Sequence, residues 1–133
     1  LTLAVDAQGQ GFGLEWGEQL TDGIRTDTAA TSPATGLDTV ASAAFGLQAY
    51  LHVFAFTGTS VTVTLQDSAD NVTFAAIGGG VSFAAATTIG AQRIATVNTE
   101  TVRRYVRAIT TGTFSNAPCA VQLTKNLTAG QVF

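Results

Sequence analysis

The sequence predicts an all-β protein, an antiparallel β-sandwich of jelly-roll type preceded by an extended N-terminal arm. Three observations predict it. Apolar runs of about five to ten residues recur between turn signals, the spacing expected of sandwiches and barrels. Those runs are rich in valine, threonine, isoleucine and phenylalanine, whose branched or aromatic side chains fit a pleated surface. No segment carries the 3.6-residue apolar period of an amphipathic helix. At 133 residues with 46% hydrophobic content, the chain has material for one core.

Taken in order, residues 1–5 alternate apolar and polar, 6–11 form a turn and 12–16 a second strand-like piece broken by Gly13. The pair reads as a hairpin or as the end of a preceding sheet. Residues 18–33 are polar and linker-like, with one strand near 24–28, and 33–39 make a turn-rich join. The expected division is an exit strand and linker arm over 1–22, a β-sandwich over 23–128 and a C-terminal tail over 129–133.

The best-defined stretch is 45–65, which predicts a β-hairpin. Leu47, Ala49, Leu51, Val53 and Ala55 alternate with Gln48, Tyr50, His52, Phe54 and Phe56, and successive strand residues point to opposite faces. A strand apolar on both faces belongs under a second layer, so Leu51 and Val53 are expected to be buried and Phe54 or Phe56 covered. Thr57-Gly58-Thr59-Ser60 supplies the predicted turn. Val61, Val63 and Leu65 then form the inner face of a half-buried strand.

Beyond it, 66–71 is a loop dense in Asp, Ser and Asn, 72–77 a strand, Gly78-Gly79-Gly80 a break and 81–85 a short strand. The triple glycine lacks the lysine and hydroxyl of a phosphate-binding loop and leads into a strand instead of a helix. Residues 92–97 read as a strand, 98–101 as a turn, 102–110 as a stronger strand, Gly112 as a break and 118–125 as the last strand.

Only 11% of residues are charged and the net charge is −3. Residues 1–38 hold six acids against Arg25 alone, a net of −5, whereas residues 39–133 carry +2. Attraction between these parts, within or between subunits, is one reading; ordinary surface variation is the favoured one. No apolar run reaches membrane-spanning length and no signal-peptide pattern opens the chain, so a soluble, unexported protein without a membrane partner is expected. The sequence has no methionine and opens on Leu1, which points to a processed product or a piece of a longer chain.

Residues able to do chemistry are sparse. Cys119 is the only cysteine and His52 the only histidine; each reads as structural, because nucleophilic, basic or metal-binding roles need partners at fitting spacing. No catalytic, cofactor-binding or metal residue is assigned. Asp67, Asp70 and Asn71 fall short of the six or more oxygens calcium takes, so a capped turn is favoured over a cation site. Arg103, Tyr105 and Arg107 share one face of a strand and resemble a small stacking platform. The net negative charge disfavours nucleic acid, leaving a salt-bridged face or an interface. Trp16 is a further candidate interface residue beside ordinary packing. Two glycosylation sequons, at Asn71 and Asn126, read as chance matches.

A family resemblance is carried by the order Arg25-Thr26-Asp27-Thr28, Phe45-Gly46-Leu47-Gln48-Ala49-Tyr50-Leu51-His52-Val53, Thr57-Gly58-Thr59-Ser60, Leu65-Gln66-Asp67-Ser68-Ala69-Asp70-Asn71, Gln92-Arg93-Ile94-Ala95, Arg104-Tyr105-Val106-Arg107 and Thr111-Gly112-Thr113-Phe114. Over residues 23–126 it resembles the C-terminal β-sandwich decoration domain of tail tube proteins of long-tailed bacteriophages. The resemblance implies a non-enzymatic virion protein on the tail exterior, assembled in the host cytoplasm. Its partners would be other virion subunits in a homo-oligomeric assembly, with weak multivalent contacts to host-surface glycans. Capsid decoration proteins and carbohydrate-binding modules use similar sandwiches and are the alternatives.

Overall fold

The computed structural model of the chain describes residues 17–130, and its regular structure is entirely strand. In chain order the strands are β1 (Glu18–Gln19), β2 (Arg25–Asp27), β3 (Leu37–Asp38), β4 (Leu47–Val53), β5 (Thr57–Ser68), β6 (Ala75–Ser82), β7 (Gly90–Ala95) and β8 (Tyr105–Lys125). The elements expected in residues 1–16, Trp16 among them, lie outside the described residues. So does the end of the tail.

β8 is the axis of the fold. One of its edges pairs antiparallel with β5 and then β4; β3, β2 and β1 also pair with it. The path β6-β5-β8-β4-β7 curls into an antiparallel sheet that is nearly closed, like a barrel. The all-β antiparallel expectation holds.

The expected hairpin does not form. Val53 lies opposite Cys119 and Thr57 opposite Asn116, so β4 and β5 continue in one direction along β8, as a single strand bent at 54–56. Thr57–Ser60 belongs to β5 and is not a turn. The reason is local: Gly58 and the hydroxyl residues serve a bulge, with the register slipping on both sides of Gly58. Gly112 and Pro118 likewise do not split the C-terminal region, because both lie inside the 21-residue β8. Pro118, which has no N–H to donate, is tolerated because it faces the 54–56 corner, where the ladder is already interrupted; its carbonyl still accepts from Phe54 N (2.9 Å). The triple glycine is also within a strand. Across Leu65 and Gln66 the β6 partner jumps from Val81 to Ala76, so the glycines form a bulge whose positive φ values glycine adopts cheaply.

Side-chain alternation packs the interior. Leu47, Ala49, Leu51 and Val53 point inward from β4, and Val61, Val63 and Leu65 from β5. On β8 the buried positions are Val106, Ala108 and Thr110 early but Ala117, Cys119, Val121 and Leu123 later. Phe114 keeps the early parity, so the inward parity changes across Ser115 and Asn116, where β8 passes from pairing with β5 to pairing with β4. Phe83, Ile77, Val102 and Phe114 fill the centre, each large apolar side chain contributing about 1.5–3 kcal/mol on burial.

Lys125, at the end of β8, is tied to the segment just before that strand and to the segment after β3: its Nζ donates to Arg103 O (2.6 Å), Thr39 Oγ1 (2.5 Å) and Ala41 O (2.9 Å). Asp27, on β2, fixes the polar N-terminal side to β8 by accepting from Arg25 Nη2 and Thr110 Oγ1. β1 carries the sheet into the segment expected to be an arm.

Candidate functional site

The alternation that buries Leu51 and Val53 turns Tyr50, His52 and Phe54 outward. His52 and Phe54 stack, with ring centroids 6.4 Å apart and an interplanar angle of 24°. Arg93 of β7 lies opposite Tyr50, with its guanidinium carbon 5.8 Å from the ring centroid and its Nε donating to the phenol oxygen at 3.3 Å. Register then assembles a face across three strands. One row is Ala91, His52 and Ala120; the next is Arg93, Tyr50 and Gln122.

Two further large apolar side chains flank this face. Ile24, immediately before β2, is 57% exposed and Ile89, immediately before β7, is 63% exposed; Phe54 itself is 51% exposed. Phe56, its partner in the expectation, packs partly against the core. A shallow depression of about 280 Å³ opens at one end of the ridge, lined by Gly17, Tyr50, His52, Gln122 and Thr124. Among the described residues its lining is aromatic, imidazole, amide and hydroxyl, without a carboxylate.

The other sequence candidates are half-buried and engaged in contacts within the chain. Arg103 precedes β8; its Nε lies 2.9 Å from Asp67 Oδ1 and its backbone N donates to Asp67 Oδ2 at 2.8 Å. Arg107 stacks over Phe74 at 4.1 Å and donates to Gln66 Oε1 and Pro33 O. Tyr105 lies beneath Arg104, which is bound to Asp38 through two hydrogen bonds of 2.7 Å. The three are thus not gathered into one open platform: each guanidinium serves a different contact within the chain, and the Arg104–Asp38 pair is exposed. The Arg104 hydrogen bonds hold the Asp38 carboxyl down at about 2.

Asp70 caps its turn. Oδ1 accepts from Ser68 Oγ and from the backbone N of Val72 and Thr73, which keeps this carboxyl well below the usual carboxylate range. Among the described residues no three His, Cys, Asp or Glu side chains converge to hold a metal ion. Cys119 is buried, and burial pushes its thiol up. It faces inward from β8 while His52 faces outward from β4, so the two do not meet. Asn126 is fully buried and donates to Phe45 O, which removes that sequon from the surface.

The outward ridge was implicit in the alternation of β4. That Ile24, Ile89 and Ala120 join it was not, because their proximity depends on pairings across β8 with no local signal. No family model matches the chain, and comparison with curated proteins and solved structures finds no match.

Proposed function

We propose that this chain is a non-enzymatic structural domain of a bacteriophage virion, the outward-facing decoration domain of a tail tube protein, acting by contact through its Tyr50–His52–Phe54 face. The observation that carries the reading is that ridge: aromatic side chains are presented on a rigid sheet while the ionisable groups nearby serve packing and turn formation. A rigid aromatic ridge binds by shape and desolvation, and single weak contacts gain strength when many copies act together, by roughly 10² to 10⁴ for linked pairs. Its partners are other virion subunits, on a tail or, in the same chemistry, on a capsid.

An antibody against residues 23–128 should label virus particles at regular intervals along the tail or over the capsid in electron micrographs. Particles from a lysate in which the protein is expressed that remain wholly unlabelled would sink the proposal. A second reading, a carbohydrate-binding module, is favoured by the depression beside Tyr50 and His52, where Gln122 and Thr124 offer hydrogen-bonding groups to sugar hydroxyls. Binding of a multimerised chain on a glycan array, abolished by Tyr50→Ala, would select it.

A further inference from the structure

β6 and β7 end the sheet path, at the opening that keeps the barrel from closing. A groove of about 280 Å³ lies there, lined on one side by Gly78, Val81 and Ser82 and on the other by Ile94, Ala95 and Glu100. Its backbone is open. Thr96 N donates to Leu47 O and Phe83 N to Val63 O; such bonds recur at every second residue, so Ala95 and Ser82 turn their N–H and C=O away from β4 and β5, toward the free edges. Its floor is the margin of the core. Ile94 lies opposite Ala49 and Val81 opposite Leu65, so both face inward, yet they are only partly buried, because among the described residues no strand lies beyond them. Its charge is single. Glu100 is the one charged side chain in the lining, and among the described residues it has no ion-pair partner. A Cβ on Gly78 would come within 2.5 Å of the Glu100 carboxylate, so that glycine makes the room in which the carboxylate sits.

We propose that this groove takes an extended segment of another polypeptide, one that alternates apolar and polar side chains and carries a lysine or arginine. Its backbone pairs with the free edges at Ala95 and Ser82, as an added strand does on an unpaired sheet edge. Alternation sets its apolar side chains over Val81 and Ile94, which completes the margin of the core, and its cation meets Glu100. An acidic segment would set like charge against Glu100. A helix would leave the edge N–H and C=O groups without partners, since its own are bonded internally. The groove lies at the sheet edges and not on the outer Tyr50–His52–Phe54 face, so the inference does not rest on the reading of that face.

The probes are an acetylated, amidated peptide, Thr-Val-Lys-Val-Thr-Val, and its counterpart with glutamate for lysine, each added to the full chain up to about 2 mM and followed by two-dimensional NMR. The lysine peptide should slow hydrogen exchange of the Ser82 and Ala95 amides by about tenfold or more, and leave Phe83 and Thr96, already bonded, nearly unchanged. The glutamate peptide should bind roughly fivefold or more weakly, and Glu100→Gln should remove that preference. Ala95→Pro deletes an edge N–H without breaking a bond to β4, because proline is accepted where that group faces outward, and should abolish binding. Exchange at Ser82 and Ala95 that neither peptide slows overturns the inference. So do equal affinities for the two peptides on the unaltered chain, or binding that survives Ala95→Pro in a folded variant. Should Ala95→Pro lose its dispersed spectrum, Glu100→Gln decides: a preference for lysine that persists there overturns the inference. Shifts confined to Tyr50 and His52 overturn it too, by placing the peptide on the outer face. None of these outcomes changes what antibody labelling of virus particles reads.

Discussion

Val40 has a φ of 68°, a conformation rare for a β-branched residue. Ala41 N donates to Thr39 O at 2.8 Å, closing a three-residue γ-turn, and Val40 N donates to Asp38 Oδ1. The side chain is 78% exposed, so little packing offsets the strain. What holds the turn is Lys125, which grips Thr39 and Ala41 from below. Strain of this kind costs about 1–3 kcal/mol. Val40→Gly should therefore raise stability by about 1 kcal/mol after glycine's extra chain entropy. A denaturation midpoint that stays level or falls would contradict the strain. Lys125 is itself the only lysine in the sequence, and burial pushes it from 10.5 down to about 8 against the pull of Glu18, Asp67 and Asp38. Between those values the unfolded chain binds the proton and the folded chain does not. Stability should thus rise with pH from about 8 to 10.5 by about 2 to 3 kcal/mol, and lie flat in this respect below 8. Lys125→Met should remove the slope, measured as the difference between the two proteins' denaturation midpoints across the window. Lysine-selective NMR reads the same titration directly.

At the scale of elements, two glycines make the long ribbon bend. A Cβ on Gly112, at φ 119°, would strike Ser60 O, and one on Gly58 would strike the Phe114 backbone. Gly112→Ala should cost about 2 to 4 kcal/mol, since neither the strand nor its φ can accommodate the methyl. Gly79→Ala, at φ 78° with nothing within 4 Å of the new atom, should cost about 1 kcal/mol. Equal losses in urea titrations would mean that the close approach contributes nothing. The same glycines explain what the sequence conceals. Alternation identified the inward faces of β4 and β5 correctly, because burial of Leu47, Leu51, Val61 and Leu65 is a two-residue pattern within one strand. Turn chemistry misled at Gly58, Gly78 and Gly112, because a bulge and a turn both ask for a glycine with positive φ. Only the partner strand tells them apart. The outward face was half legible for the same reason: Tyr50, His52 and Phe54 share a local period, whereas Ala91 and Ala120 reach them through β7 and β8.

For the whole molecule, β8 sets both stability and folding order. Five other strands pair with it directly, from β1 near residue 18 to β5 ending at residue 68, yet it lies at the end of the sequence. Few pairings form before the whole chain is present, and topologies dominated by such distant contacts fold slowly, in roughly milliseconds to seconds. A fragment ending at residue 104 keeps the β5–β6 and β4–β7 pairings but loses the strand that joins those pairs. It should lack the dispersed NMR spectrum of a folded sheet, and a peptide of residues 105–126 added in trans should restore it. A fragment folded by itself would refute the central role of β8. The peptide's last two residues provide a finer test. Lys125 ties down the turn at Val40 and the carbonyl of Arg103, while Asn126 donates through its side chain to Phe45 O at 2.7 Å and through its backbone to Gly46 O at 2.9 Å. A peptide stopping at residue 124 keeps the apolar inner face of β8 but loses this closure, and should bind the fragment at least tenfold more weakly, a difference of about 1.4 kcal/mol. Equal affinities would place the energy of closure in the apolar ladder alone.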